Sequence, residues 1–357
     1  MNNHIIISLK ATLRLILFAT LYSPTEVPGQ IIATGITDIS GIKVGHYNLH
    51  ERPTGCTVVL IEKGAIGGVD VRGGAPATVE TDLLNPINTV ESIHAVFISG
   101  GSAFGLATRE GVMRHLRESN IGYLAGDQKI PLVTGAAIYD LGIDGFKNIT
   151  PGAQCGYKAS LDASDTFSGE GNLGAGYGAT VGKLKGIGYS MKGGTGTASV
   201  TLDNGLAVGA LVIVNAVGDI LDPATGKVLA GTLSDDRKSL ADARSLIRKN
   251  DIQSIGESRT NTTIAVVATN AKLTKPQITK VAQMAQDGIA RAIYPSHTTR
   301  DGDAVFSLAT GTHKLDSDVS IIGSLAADMI VESILRALNS AEGLEGIPSV
   351  RDLKNQR

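Results

Sequence analysis

Only two cysteines, Cys56 and Cys155, occur in the 357 residues, in separate segments and without a C-x-x-C spacing. That excludes a disulfide scaffold and a cysteine-based zinc site, so the expectation is two lone buried thiols and an undecided redox compartment. Charge of one sign is also missing. The net charge is −2 with no basic run, which excludes an electrostatic footprint for nucleic acid or an anionic membrane surface. Internal repeats and low-complexity tracts are absent. Tryptophan is missing and prolines number 11, against 44 glycines spread without period, which excludes collagen and implies many tight turns. What remains is a soluble globular composition, 42% hydrophobic and 18% charged, with length enough for a sizeable core.

The N-terminus carries a different pattern. Lys10 and Arg14 precede the apolar stretch Leu15–Tyr22, and small residues follow near Val27 and Gly29. This predicts a secretory signal peptide over 1–29, too short to span a bilayer, with a periplasmic or secreted product from residue 30. Without cleavage and export the chain would stay cytoplasmic. No other stretch resembles a membrane span.

From Gly35 onward, strand-like runs alternate with glycine turns. "GCTVVLIE", "HAVFISGG" and "LAVGALVIVNAVGDILD" are apolar almost throughout, as strands buried on both faces are. "SAFGLATREGVMRHLRESN" predicts a helix from Ser102, with Leu106, Val112, Met113 and Leu116 on one side. Ile278, Val281, Ala282, Ala285 and Ile289 form one helical stripe. Ile322, Leu325, Ala326, Met329, Ile334 and Leu338 form another. Residues 223–256 are more polar and predict an exposed excursion or linker. Strands covered by apolar-faced helices, without regular βαβ alternation, indicate an α+β layered sandwich.

The familiar motifs are mostly excluded. "SGGSAFGLA" is no nucleophile elbow, P-loop or dinucleotide fingerprint; Gly100–Gly101 read as a backbone corner whose N–H groups face a helix start. Asp301-Gly302-Asp303 sits in a turn before a strand. No EF-hand follows it and no second histidine joins His297 at ligand spacing, so neither a metal nor any cofactor is expected. The sequons at Asn148 and Asn261 are discarded, the latter because it runs straight into an apolar strand.

Asn261-Thr262-Thr263 opens that strand with polar residues. Two readings are open from the residues alone. One is a polar turn feeding a strand. The other is a self-cleavage site at which Thr262 Oγ1 attacks the Asn261 carbonyl, freeing an α-amine with a pKa of about 7.7–8.0 that then serves the hydroxyl as base.

"GITDISGIKVGHYN", "ISGGSAFGLA", "GNLGAGYGATVGKLKG", "LVIVNAVGDILD", "RTNTTIAVVATNAKL" and "HTTRDGDAVFSLATG", in this order within about Gly35 to Leu338, together resemble the DmpA-type aminopeptidase family. That family includes β-peptidyl aminopeptidases and the nylon-oligomer hydrolase, and shares its fold with ornithine acetyltransferases. The resemblance implies a four-layer αββα sandwich over 30–357, self-cleaved into a large chain 30–261 and a small chain 262–357. It implies Thr262 as nucleophile and Asn215 in the oxyanion hole. Lys183 would lie near the nucleophile, Asp301 and Asp303 would form the acidic pair, and Tyr139, Gly100 and Gly101 would line the pocket. Its expected partner is a small peptide or amide, and its expected assembly is an oligomer of processed heterodimers.

Two departures stand out. Aminopeptidase members use serine and a Ser-x-Glu pair where this chain has Asp301-Gly302-Asp303. They also carry a glutamate that holds the substrate amine where this chain has Ala137, leaving Asp140 as the substitute to test. An acyltransferase acting on an amine acceptor and a non-catalytic member of the fold are the alternative readings.

Overall fold

The computed structural model describes residues 34–143, 148–252 and 261–355; the expected leader at 1–29 lies outside them. In chain order, the elements that position the site are β1 (Lys43–Asn48), β2 (Gly55–Val71), β3 (Ser92–Ser99), α1 (Thr108–Glu118), β4 (Val133–Ala137) and α2 (Ala153–Asp162). There follow β5 (Gly194–Thr201), β6 (Ala207–Asn215), β7 (Thr262–Thr269), α3 (Lys275–Ala292), β8 (Ala304–Ala309) and α4 (Val319–Ser340). The strands hydrogen-bond in the order β5-β6-β7-β8-β2-β3-β4, with β1 also on β2. The pairs β7/β8 and β3/β4 are parallel.

One strand joins two layers. Cys56–Leu60 of β2 pair with β3, Ile66–Val71 pair with β8, and the register shifts between Leu60 and Ala65. A register irregularity of this kind bends a strand. A continuous ribbon thereby supplies both sheets of the sandwich.

Alternation along the strands sorts their side chains into three cores, which defines four layers. Val59, Ile61, Val96 and Ile98 meet Leu211, Ile213, Ile264, Val266, Phe306 and Leu308 between the sheets. The intervening Val58, Leu60, Ala95 and Phe97 face α1 and α2 through Val112, Leu116 and Ala159. On the opposite side, Val212, Val214, Ala265 and Val267 face α3 and α4 through Ile278, Val281, Ile289, Ile322 and Ile334. Burial on both faces is why these strands read as unbroken apolar runs. The protein is an α+β, four-layer αββα sandwich.

The two predicted stripes lie where periodicity put them. Helix α3 opens with a Thr274–Gln277 capping box and a proline in its first turn, and Asp318 caps α4 by accepting from the Ser320 N–H.

Three expectations are corrected. Cys56 and Cys155 are not lone thiols: they form a disulfide between β2 and α2, closing 99 residues of chain. Two cysteines so far apart in sequence carry no spacing signal for pairing. Helix α1 begins at Thr108, six residues after Ser102, because Ser102–Ala107 winds as a 3-10 segment first. The polar segment after Pro223 is not a simple excursion. Val228–Ala230 pairs with Asp219–Leu221, and the short helix Ala243–Lys249 buries Ala243 and Leu246 against Leu184 and Val217.

Candidate active site

Strand β6 ends at Asn215 and β7 begins at Thr262, and their antiparallel register sets these two residues opposite each other. On the other side of β7, the parallel register with β8 continues as a bridge between Asn261 and Asp301. Three strand ends therefore converge on the Asn261–Thr262 bond. The Thr262 hydroxyl hydrogen-bonds to the Asn261 carbonyl oxygen, and the Gly302 N–H donates to that same oxygen at 3.0 Å. Asn215, Thr262, Asp301 and Asp303 are all at most 4% exposed, so the electrostatics here act in a medium much less screening than water.

The Asn215 amide has one orientation. Its Oδ1 accepts from Lys183 Nζ at 2.8 Å and from the Thr180 N–H at 3.0 Å, while its Nδ2 donates to the Tyr139 carbonyl at 2.9 Å. Lys183 Nζ also donates to the Asn215 main-chain carbonyl at 3.0 Å. Burial lowers the Lys183 pKa to about 7, against the opposing pull of Asp301, Asp140 and Asp303. A neutral amine still has two N–H bonds, enough for both contacts with Asn215.

The two carboxylates are held by their own turn. Asp301 Oδ2 accepts from the Thr298 N–H at 2.8 Å and its hydroxyl at 2.5 Å. Asp303 Oδ1 accepts from the Thr263 N–H at 2.7 Å; its Oδ2 accepts from the His297 N–H at 3.0 Å and lies 2.9 Å from His297 Nδ1. Burial and then the neighbouring Asp303 raise the Asp301 pKa to about 6. Asp303 thus ties the turn to the residue that follows Thr262.

Sequence reasoning missed the clasp around this turn. The N–H groups of Arg72, Gly73, Gly74 and Ala75 donate to carbonyls of Asp303, Asp303, Thr298 and Asp301 at 2.8–3.1 Å. A Cβ at Gly73 would stand 2.2 Å from the Asp301 carbonyl oxygen, so the approach needs glycine. The pair Gly73-Gly74, just past a long apolar strand, was the available signal. Lys192 was missed too. Fully buried, it donates to the carbonyls of Gly176, Ala179 and Gly193 at 2.8–3.2 Å, pinning the chain just ahead of Thr180.

The glycine corner differs from expectation. The Gly100 N–H donates to the Gly55 carbonyl, the Gly101 N–H to Asp140 Oδ1 and the Ser102 N–H to the Ile138 carbonyl. Those donors are used within the fold. Tyr139 reaches the site through its carbonyl. Asp140 is likewise committed: Arg52 donates to its Oδ1 at 2.5 Å, Thr54 to its Oδ2 at 2.5 Å, and neither Arg52 nor Asp140 side chain is exposed. Beside these loops, Pro53, Gly142, Ile143, Ile187 and Gly188 line a cavity of about 530 Å³ with the Leu344–Ile347 turn.

A buried hydroxyl, amide, lysine and carboxylate pair thus meet at the strand ends of an αββα sandwich. The family model for peptidase family S58 matches residues 34–351, and the chain belongs to that family. It is a hydrolase of peptide or amide bonds. It is 42% identical over 342 residues to an uncharacterized aminopeptidase of Mycobacterium leprae, covering 88% of this chain and 92% of the relative. It is 28% identical over 321 residues to a 6-aminohexanoate-oligomer endohydrolase of Kocuria sp., covering 84% of each. Its fold matches the L-aminopeptidase D-Ala-esterase/amidase of Ochrobactrum anthropi, described as a variant of the Ntn hydrolase fold, with a TM-score of 0.67 at 20% identity, over 90% of this chain and 92% of that one.

Proposed function

We propose that the chain cleaves itself between Asn261 and Thr262, and that the freed Thr262 is the nucleophile of an amidohydrolase. The observation that carries this reading is the contact of the Thr262 hydroxyl with the Asn261 carbonyl, between Asn215 and the Asp301–Asp303 turn. In turnover, the Thr262 α-amine takes the Oγ1 proton as Oγ1 attacks the substrate carbonyl carbon. The oxyanion forms toward Asn215 Nδ2, and the leaving amine takes the proton. Water then attacks the acyl ester, with the α-amine again as base, and releases the acid. Lys183 fixes the Asn215 amide and steadies negative charge, while Asp301 and Asp303 hold and polarise the start of β7.

The substrates are peptides or peptide-like amides whose amino end need not be free. Support comes from Ala137, which offers no carboxylate, and from Asp140, whose two oxygens are engaged by Arg52, Gly101 and Thr54. Of the two names carried by the relatives, the endohydrolase pattern fits this site better than the aminopeptidase one. The Cys56–Cys155 disulfide supports an oxidising, extracytoplasmic compartment. Cell fractionation tests this: recovery from the cytoplasm with both thiols open to alkylation would contradict it.

The central test is intact mass and N-terminal sequencing of the purified chain. The expected result is a small chain beginning at Thr262, absent in Thr262→Ala together with amide hydrolysis. An uncleaved wild-type chain, or undiminished activity in Thr262→Ala, sinks the reading. Comparing blocked with unblocked peptides then tests the substrate class; exclusive turnover of free-amine peptides would overturn it.

A further inference from the structure

The geometry points to the Gly302 N–H as the oxyanion donor of the self-cleavage step, a role separate from that of Asn215 in turnover. This rests on the self-cleavage proposed above. The Gly302 N–H and the Thr262 hydroxyl converge on one atom, the Asn261 carbonyl oxygen, with the N–H at 3.0 Å. The bond continues the parallel β7/β8 ladder: Asn261 bridges Asp301 in the offset that pairs Ile264 with Ala304. A ladder bond fixes its donor in advance, so no reorganisation is needed when charge develops on that oxygen. Asn215, by contrast, commits its Oδ1 to Lys183 and Thr180 and one Nδ2 hydrogen to Tyr139.

The step balances as follows. Thr262 Oγ1 forms a bond to the Asn261 carbonyl carbon, and the π electrons of the carbonyl move onto its oxygen, where the Gly302 N–H holds them. Collapse breaks the C–N bond, and the hydroxyl proton ends on the Thr262 nitrogen, leaving an ester and an amine. Water adds to the ester carbon, charge returns to the same oxygen, and C–O cleavage yields the Asn261 carboxylate and the restored hydroxyl. Glycine at 302 also leaves room for the attack. A Cβ there would stand 2.9 Å from Thr262 Oγ1 and 3.2 Å from its Cγ2.

Replacing Gly302 by glycolic acid during cell-free synthesis converts the Asp301–Gly302 amide to an ester and deletes that single N–H. The control is the matching ester at Thr310, whose N–H donates to the Thr269 carbonyl at 3.0 Å at the far end of the same ladder. Self-cleavage is followed by gel and intact mass, with folding checked by circular dichroism. The expected result is a loss of about 10²-fold in cleavage rate for the 302 ester and an unchanged rate for the 310 ester. Equal rates for the 302 ester and the all-amide chain, or equal losses for both esters, would overturn the proposal. An all-amide chain that never cleaves removes self-cleavage itself, and this inference with it. A second measurement leaves residue 302 untouched. In the stalled Thr262→Ala chain, a scalar coupling from the Gly302 nitrogen to the Asn261 carbonyl carbon is expected across the hydrogen bond, and its absence counts against the proposal.

Discussion

Lys183 Nζ donates to both oxygens of Asn215, the main-chain carbonyl at 3.0 Å and Oδ1 at 2.8 Å. A residue from one glycine-rich loop therefore fixes the side chain at the end of β6, directly across from Thr262. The amide is aimed before any substrate arrives. Replacing Asn215 by Ala is expected to lower kcat by about 10²- to 10³-fold, the usual cost of one oxyanion donor. Steady-state kinetics on a cleaved preparation checks it, and an unchanged kcat would move the oxyanion donor elsewhere.

The pH dependence follows from two shifted groups. Lys183 is lowered to about 7 and Asp301 is raised to about 6, both chiefly by burial. Activity is expected to rise as pH increases through about 6, as Asp301 ionises, and to level off above about 7, as Lys183 loses the proton with which it steadies negative charge. For stability the sign is also set. A lysine with a folded pKa near 7 binds fewer protons folded than unfolded between about 7 and 10.5, so its penalty is full below pH 7 and fades as pH rises through that window. Lys183→Met should therefore gain stability relative to wild type most at pH 6 and least near pH 10. Denaturant titrations at several pH values read this directly.

The disulfide closes a loop with a sequence separation of 99, long enough for cross-linking to restrict the unfolded chain substantially. Cys56→Ser with Cys155→Ser is expected to cost about 2–4 kcal/mol in unfolding free energy. The bridge joins β2 to α2 on the far side of the sandwich from α3 and α4, so kcat at 25 °C should change little. Chemical denaturation with and without reductant separates the two effects.

Gly73→Ala would drive a Cβ into the Asp301 carbonyl and the Asp303 nitrogen, at 2.2 and 2.3 Å. The expected outcome is a loss of about 1–3 kcal/mol from overpacking, with self-cleavage slowed because the acidic turn can no longer seat. A variant that retains both stability and cleavage rate would show that this clasp does not position the site.

Much of the fold was legible because burial leaves a periodic trace. The stripe Ile278–Ile289 and the unbroken runs in β2, β3 and β6 each record the faces they cover. Asn215 was singled out only by the family resemblance, whereas Thr262, Asp301 and Asp303 were legible as a polar strand start and a turn. Their meeting was not, since register is a long-range property: a one-residue slip between β6 and β7 would take Asn215 away from Thr262. Gly73 was visible as part of a glycine pair after a strand, but its role was not, because that role lies in how closely the Asp301–Asp303 backbone approaches.

The sequence by itself determined that this chain buries strands on both faces, covers them with two striped C-terminal helices, and opens a core strand with Asn261-Thr262. Only the tertiary structure decided that Cys56 meets Cys155, that Asp140 is paired with Arg52, and that the Asn261 carbonyl takes hydrogen bonds from both Thr262 and Gly302. Local pattern follows from the burial of each residue. Contacts across tens to hundreds of residues follow from sheet register and layer packing, which no single segment encodes.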